Sequence, residues 1–354
     1  MEEKGLTIIE LLVTMALLGI VITAVIESYT TILKTQVQQE SIAKANIEEG
    51  ISLEILRKDI EMAGFGLPWD MNGFSYNEAS SSSTYIPDPA TFNDNPYNPP
   101  RPFVNSNNGN ILANNSDVLI IKSTIVGLST VSHRWGYVSN DGVNISYHPL
   151  SPDTSYSGYF VVLDKNRKLE SKDYQASVST PPNFPDNLIT GDIYFAFGIS
   201  NSDPRMPFNR VDYYLKKPSS GFPKRCSPNT YELYRATINN SDGQRNPQPI
   251  LDCVKDFQIV FGIDNNNDNS IDSWSSDLPS SASDIRNKLK QVRIFVIYQE
   301  GKKESNYIFN GSLTLGDNDT GIIKTFTPSG DDIHYRWKIL RLVVTPLNLK
   351  PQQR

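Results

Sequence analysis

The chain has few of the residues on which enzyme active sites are usually built. Only three of its 354 residues are histidine, and His133, His148 and His334 lie far apart in the sequence. We find no GxSxG, HExxH, P-loop or Rossmann glycine motif. The sequence therefore gives no support to catalysis by a recognised motif, and we expect a chain that is not an enzyme.

Positive charge is also scarce. The chain has 33 Lys and Arg residues against 39 Asp and Glu residues, which gives a net charge of −6. A general nucleic-acid surface needs an excess of basic side chains on one face. We see no basic stretch interleaved with aromatic residues, so nucleic acid is not an expected partner.

Proline is missing from the first 67 residues, where a long apolar run stands out. Residues 8–26 are apolar apart from Glu10, Thr14, Gly19 and Thr23, and a helix of about 20 such residues is long enough to cross a bilayer. Good helix formers continue to residue 63, and Gly64 begins a turn-forming sequence that ends at Pro68. We predict one helix over residues 6–63, about 87 Å long, without a proline kink.

The helix divides into two parts by composition. Residues 6–26 form the membrane-spanning part, and residues 27–63 form an amphipathic part that a soluble head would cover. Apolar residues at steps of four or five define the predicted buried stripe, namely Val37, Ile42, Ile47, Ile51, Ile55 and Ile60. The opposite face carries charged or amide residues such as Gln38 and Glu48.

Glu10 is a misfit in this apolar run. Placing a carboxylate in a membrane helix costs roughly 2.5–3.5 kcal/mol at the centre of the span and less near an interface. An isolated anchor would gain nothing from keeping it. We therefore expect a second protein chain to supply the compensating charge.

The residues from Lys4 to Val13 resemble the processing site of type IV pilins and type II secretion pseudopilins. In that family, a prepilin peptidase cleaves after the glycine and methylates the new N-terminal amine. The resemblance implies that residues 1–5 are a leader, that cleavage follows Gly5, and that Leu6 becomes the first residue. Glu10 would then be the fifth residue of the mature chain, where it pairs with the amine of a neighbouring subunit and sets the register of the filament.

Two cysteines, Cys226 and Cys253, fall on the outward side of the proposed membrane span. That compartment is oxidising in a bacterium with disulfide machinery, so a disulfide is the default expectation. Two buried free thiols are the alternative. A metal pair is less favoured, because no histidine lies nearby in the sequence.

The rest of the chain reads as a β-rich head behind a long irregular region. Residues 64–116 are rich in Pro, Asn and Ser and predict loops rather than a packed segment, whereas residues 117–354 predict an antiparallel β head. Aromatic and β-branched runs predict strands at 117–122, 158–163, 192–197, 213–215, 231–235, 257–261, 292–298 and 337–344, and residues 283–291 predict a short helix. The fold class is α+β and pilin-like, with a long N-terminal helix packed on the sheet.

One acidic loop has the spacing of a calcium site. Oxygen-bearing side chains occupy alternate positions of this loop, at Asp264, Asn266, Asp268, Ser270 and Asp272. The glycine and the final acidic ligand of an EF-hand are replaced by Asn269 and Ser275. Calcium binding and a solvated Asn/Asp turn both remain open.

Residues 253–264 and 292–294, together with the closing segment 335–349, are similar to the later half of PilW-type minor pilins. The resemblance implies a type IV pilus subunit that helps to initiate assembly or cap the filament with other minor pilins and the major pilin. Before assembly it would sit in the bacterial inner membrane as a single-pass protein, with its N-terminus cytoplasmic and its head facing the periplasm. The alternatives are a minor pseudopilin of type II secretion and a membrane-anchored surface-binding, adhesive module.

Overall fold

A computed structural model shows how the chain folds. It describes residues 7–84, 86–94, 98–107, 115–154, 157–176, 184 and 188–349. One long helix and a second, short helix accompany three antiparallel β-sheets. The predicted α+β, pilin-like architecture is confirmed.

Helix α1 (Ile8–Glu61) is a single element of 54 residues, about 81 Å long at 1.5 Å per residue. Thr7 caps its N-terminus, and the predicted end is right to within two residues. Gly64 takes a φ of +82° and donates its amide to the Lys122 carbonyl at 3.0 Å. That conformation favours glycine, and the turn brings the chain directly onto the sheet.

The strands form a main sheet, a second sheet and a hairpin, all antiparallel. The main sheet has eight strands in the order β1-β2-β8-β9-β10-β12-β15, with β11 paired to β10; the second has the order β4-β3-β7-β5-β6; β13 and β14 form the hairpin. The strand bounds are β1 (Phe103–Ser106), β2 (Val118–Ser123), β3 (Trp135–Asn140), β4 (Ile145–Pro149), β5 (Gly158–Leu163), β6 (Leu169–Ala176), β7 (Ile193–Ser200), β8 (Asn209–Lys216), β9 (Tyr231–Ile238), β10 (Arg245–Ile263), β11 (Ser273–Ser275), β12 (Leu289–Glu300), β13 (Leu313–Asp317), β14 (Gly321–Phe326) and β15 (Arg336–Val344).

All eight predicted strands are present, and the strands that the sequence analysis missed are short or largely polar. Strand β3 alternates half-buried and buried residues and then ends in the polar Ser139 and Asn140, so its apolar signal is weak. The predicted helix at 283–291 is helix α2 (Ala282–Lys288), which ends where β12 begins at Leu289. Register in the wide β10–β12–β15 ladder follows the buried apolar runs on both faces.

The buried face of α1 differs from the predicted stripe. The residues that the head covers are Ala45, Ser52, Leu56, Asp59 and Ile60, whereas Ile47 and Ile51 are 63% and 58% exposed. The stripe prediction is therefore right for Ile60 and wrong for Ile47 and Ile51, because it assumed that the head would take the more apolar face. Gln38 and Glu48, placed on the outward face, instead contact the head.

The described residues between 64 and 116 are mostly irregular, as predicted, but they are packed. Tyr76, Ala79 and Phe92 are buried, and β1 adds a short strand at the edge of the main sheet. The expectation of an unpacked loop region is wrong here. Outside β1, buried ion pairs rather than regular strand pairing attach this segment to the main sheet.

The centre of that packing is a fully buried charge network. The Lys122 ammonium lies 2.8 Å from Glu78 Oε2 and 2.7 Å from Asp94 Oδ2. Arg210 contacts Glu78 at 3.2 Å and Asp212 at 2.8 Å. Burial opposes ionisation of Asp94, but the Lys122 ammonium holds the pKa of that carboxyl below its usual value. The stability that Asp94 contributes is therefore present above its unfolded-state pKa and is lost as the pH falls.

We predict that Lys122→Gln destabilises the head by roughly 3–5 kcal/mol, because it removes from the buried network the cation that Glu78 and Asp94 share and leaves each carboxylate only one arginine. Urea unfolding at neutral pH, followed by circular dichroism, measures the change. Lys303→Gln is the matched control, since Lys303 pairs with Asp331 on the surface and its loss should leave the midpoint unchanged. Equal midpoints for Lys122→Gln and the wild type would contradict the assignment.

Candidate functional site

The first half of α1 is an uncovered apolar rod. From Ile8 to Ile26 its side chains are exposed, and no other described part of the chain packs against them. This stretch of 19 residues is about 28 Å long, close to the thickness of a bilayer hydrocarbon core. By length and composition, α1 is able to cross a membrane.

Glu10 lies in the first turn of this rod and closes a capping box with Thr7. Its Oε2 atom accepts hydrogen bonds from the Thr7 amide at 2.9 Å and from the Thr7 hydroxyl at 3.0 Å. The Glu10 amide in turn donates to Thr7 Oγ1 at 3.3 Å. The carboxylate therefore points back along the helix toward its N-terminus, where the helix dipole also favours negative charge.

The predicted cleavage residues Gly5 and Leu6 lie outside the described residues. Leu6 directly precedes Thr7, however, and Thr7 is the residue that Glu10 contacts. An amine created at Leu6 by cleavage would thus be one residue away in the sequence from Thr7, which holds the Glu10 carboxylate. The hydrogen bonds with Thr7 hold the Glu10 carboxylate at the N-terminal end of α1, which is the end that cleavage would expose.

A buried polar contact joins the second half of α1 to the head. Asp59 Oδ2 accepts from the Tyr213 hydroxyl at 2.6 Å and from Arg235 Nε at 2.7 Å. Burial, together with the nearby Asp59 charge, raises the pKa of Tyr213 well above its usual value, so this hydroxyl keeps its proton and donates. Because β8 and β9 supply the two donors, the contact fixes the helix to neighbouring strands of the main sheet.

Cys226 and Cys253 form the expected disulfide, with their Cα atoms 5.0 Å apart. Arg225, next to Cys226, contacts Glu48 on α1 at 2.6 Å and Asp252, next to Cys253, at 2.9 Å. The Arg225 guanidinium, which Glu48 and Asp252 share, is therefore adjacent to the disulfide. Together they fasten the loop between β8 and β9 to β10 and to the helix.

The acidic loop projects between β10 and β11. Asp264 is buried and accepts backbone amides from Asn267 at 2.6 Å and from Asn269 at 2.8 Å. The Lys290 ammonium lies 3.3 Å from the same carboxylate. Burial opposes ionisation of Asp264, but these hydrogen bonds and Lys290 hold its pKa below the usual value.

Two further carboxylates of the loop meet at the amide of Asn266. Its Nδ2 atom lies 3.1 Å from Asp268 Oδ2 and 3.4 Å from Asp272 Oδ1. Among the described residues, no three Asp, Glu, His or Cys side chains are grouped to hold a metal ion. A cation in this loop would therefore need the amide and hydroxyl oxygens of Asn266 and Ser270 in addition to carboxylates.

Sequence reasoning missed three of these functional contacts. The Thr7–Glu10 cap was visible as a Thr-x-x-Glu pattern at the start of the apolar run. Asp59 and Arg225 had no comparable signal, because a charged residue on an amphipathic helix or in a polar loop reads as solvent-exposed. The contacts that join them across the helix–head interface, Asp59 with Tyr213 and Arg225 with Glu48, span 154 and 177 residues of the chain.

Comparison with known proteins gives two matches, one at each end of the chain. Residues 1–26 match the family model of the prokaryotic N-terminal methylation motif. Residues 212–348 match the model described as type IV pilus-assembly protein W. No curated protein and no solved structure matches the chain. Together with the pilin-like fold, these two matches support the interpretation of the chain as a type IV pilin of the PilW type.

Proposed function

We propose that this chain is a minor pilin, a structural subunit that helps to start or cap a type IV pilus together with other minor pilins. The observation that carries the proposal is the uncovered apolar half of α1 with Glu10 held at its N-terminal end. In the inner membrane, lipid would cover that surface. In a filament, the equivalent helices of neighbouring subunits would replace the lipid.

The outward face of the second half of α1 supports the same role. Leu33, Val37, Ile47 and Ile51 are all exposed, and their spacing places them on one face of the helix. This face continues the apolar surface beyond the membrane-spanning part. It offers contact to other subunits along most of the helix, on the side that the head leaves open.

Glu10 favours a position for this subunit below the very tip of the pilus. The Glu10 carboxylate would have no N-terminal amine to pair with if no other subunit lay ahead of this one in the filament. We infer that at least one other pilin precedes this one in the assembled complex. The PilW match favours a pilus over a type II secretion system, and the adhesive role has no separate observation in its favour.

We predict that the mature chain begins at Leu6 with a methylated amine. Mass spectrometry of the N-terminal peptide, from cells with and without prepilin peptidase, measures this directly. Cells that lack the peptidase should retain residues 1–5. Retention of those residues in the assembled protein of normal cells would overturn the proposed processing.

We predict that Glu10→Ala is inserted into the membrane normally but is lost from filaments, with incorporation falling at least about tenfold. One uncompensated charge in a low-dielectric bundle costs several kcal/mol, and each 1.4 kcal/mol is a factor of ten. Quantitative immunoblotting of sheared pili and of the membrane fraction measures both pools. Glu27→Ala is the control, because Glu27 lies in the same helix just past residue 26. Equal losses for the two variants would show that position 10 has no special role.

We also propose that the loop from Asp264 to Asp272 binds calcium. The ion would replace the Asn266 Nδ2 group between the carboxylates of Asp268 and Asp272. Millimolar calcium should then raise the melting temperature of the wild type, and magnesium should not, because it tolerates irregular geometry poorly. Asp268→Asn should abolish the rise. Asp242→Asn, a change in another exposed loop, should keep it. If calcium does not change the melting temperature of the wild type, the proposed calcium site is ruled out.

A further inference from the structure

Two arginines and a tryptophan from distant segments meet at the end of the head where α1 finishes. Trp69 follows α1, Arg167 lies in the turn between β5 and β6, and Arg286 lies in α2. The guanidinium carbon of Arg167 is 5.6 Å from the centre of the Trp69 ring, and that of Arg286 is 5.0 Å away. The two cations therefore share one aromatic ring.

These two arginines are half-buried and, unlike Arg210 and Arg235, have no anion in contact among the described residues. Arg210 and Arg235 contact Asp212 and Asp59. In the described part of the chain, neither Arg167 nor Arg286 makes a side-chain hydrogen bond or an ion pair, and the Nη1 atom of each is shielded from solvent without an acceptor.

Carboxylates in the same two segments are engaged with other groups. Asp284 pairs with Lys288 at 2.9 Å on α2. In the β5–β6 turn, Asp164 accepts two backbone amides, and beyond the turn Glu170 lies 3.9 Å from Lys168. None of these carboxylates makes an ion pair with the two arginines.

Leaving a guanidinium shielded and unpaired is unfavourable. Burial lowers the pKa of Arg167, and burial together with the Arg167 charge lowers that of Arg286. Donors removed from water without an acceptor cost free energy. An oxyanion would supply the missing acceptors and the opposite charge, and guanidinium groups match carboxylate and phosphate oxygens in geometry.

The backbone holds the three side chains in place before any ligand arrives. The Trp69 amide donates to the Arg167 carbonyl at 2.8 Å, and Asp70 forms a β-bridge with Lys168. On α2, the neighbouring Ile285 is fully buried in the main core. Trp69 is 37% exposed, so a ligand reaches the cluster from solvent on that side.

We propose that Arg167, Arg286 and Trp69 form a binding site for an oxyanion, a carboxylate or phosphate group of a ligand or partner. The site is independent of the pilin assembly role, because it lies at the opposite end of α1 from Glu10. Arg167 and Arg286 bind the anion, and Trp69 holds both guanidinium groups close to one ring.

The test uses the full-length protein in a neutral detergent. Melting temperatures are measured in sodium phosphate, sodium acetate and sodium chloride at matched ionic strength. We expect phosphate or acetate to raise the melting temperature of the wild type by about 3 °C or more over chloride, as binding to the folded state requires. The anion that gives the larger rise identifies the preferred group.

Variants separate binding from the general stabilising effect that phosphate has on proteins. Arg167→Gln and Arg286→Gln should each reduce the rise to less than a third, and Arg167→Lys should keep only part of it. Lys165→Gln removes a neighbouring surface charge and should retain the full rise. Circular dichroism in chloride establishes that each variant is folded.

Two results would overturn the proposal. One is the absence of any rise over chloride in the wild type. The other is an equal rise in the wild type and in the Arg167→Gln/Arg286→Gln double variant, which would assign the two arginines a purely structural role around Trp69.

Discussion

The attachment of the second half of α1 to the main sheet is the contact on which the rest of the molecule depends. One continuous helix has to satisfy two surroundings, because its first half is uncovered and its second half lies against a folded head. The buried carboxylate of Asp59, held by Tyr213 and Arg235, fixes where the helix rests on the sheet. Since the helix is one rigid element, fixing its second half also directs the uncovered half away from the head.

This interface combines polar and apolar contacts, and its polar contacts lie inside the covered face of the helix. The head covers Ser52 and Asp59 and leaves Ile47 and Ile51 exposed. The buried apolar contribution comes mainly from Leu56 and Ile60, near the C-terminal end. Directional hydrogen bonds fix the helix in one rotation, and the more apolar face is left free for other chains.

Buried charges have a similar part in the irregular region after the helix. Lys122 and Arg210, both on strands of the main sheet, reach Glu78 in the long loop segment. A segment without a regular ladder still needs partners for its polar groups, and these ion pairs supply specific ones. Removal of one member is costly because the others cannot regain water. The same reasoning sets Arg167 and Arg286 apart, since no carboxylate fills that role for them.

The sequence by itself determined the elements whose signals are local. The apolar run, the absence of proline and the turn at Gly64 defined α1 to within two residues, and apolar runs located the eight central strands. The disulfide was expected from two cysteines on the outward side of the proposed membrane span, and the structure contains it.

Only the tertiary structure decided which face of α1 is buried, how the strands divide into three sheets and where the charged side chains lie. Asp59, Arg225 and Lys122 look like ordinary surface residues in the sequence. Each is covered because of partners far away in the chain. Hydrophobic periodicity reports the average environment of a segment, whereas the pairing of buried charges depends on which distant segments the fold brings together.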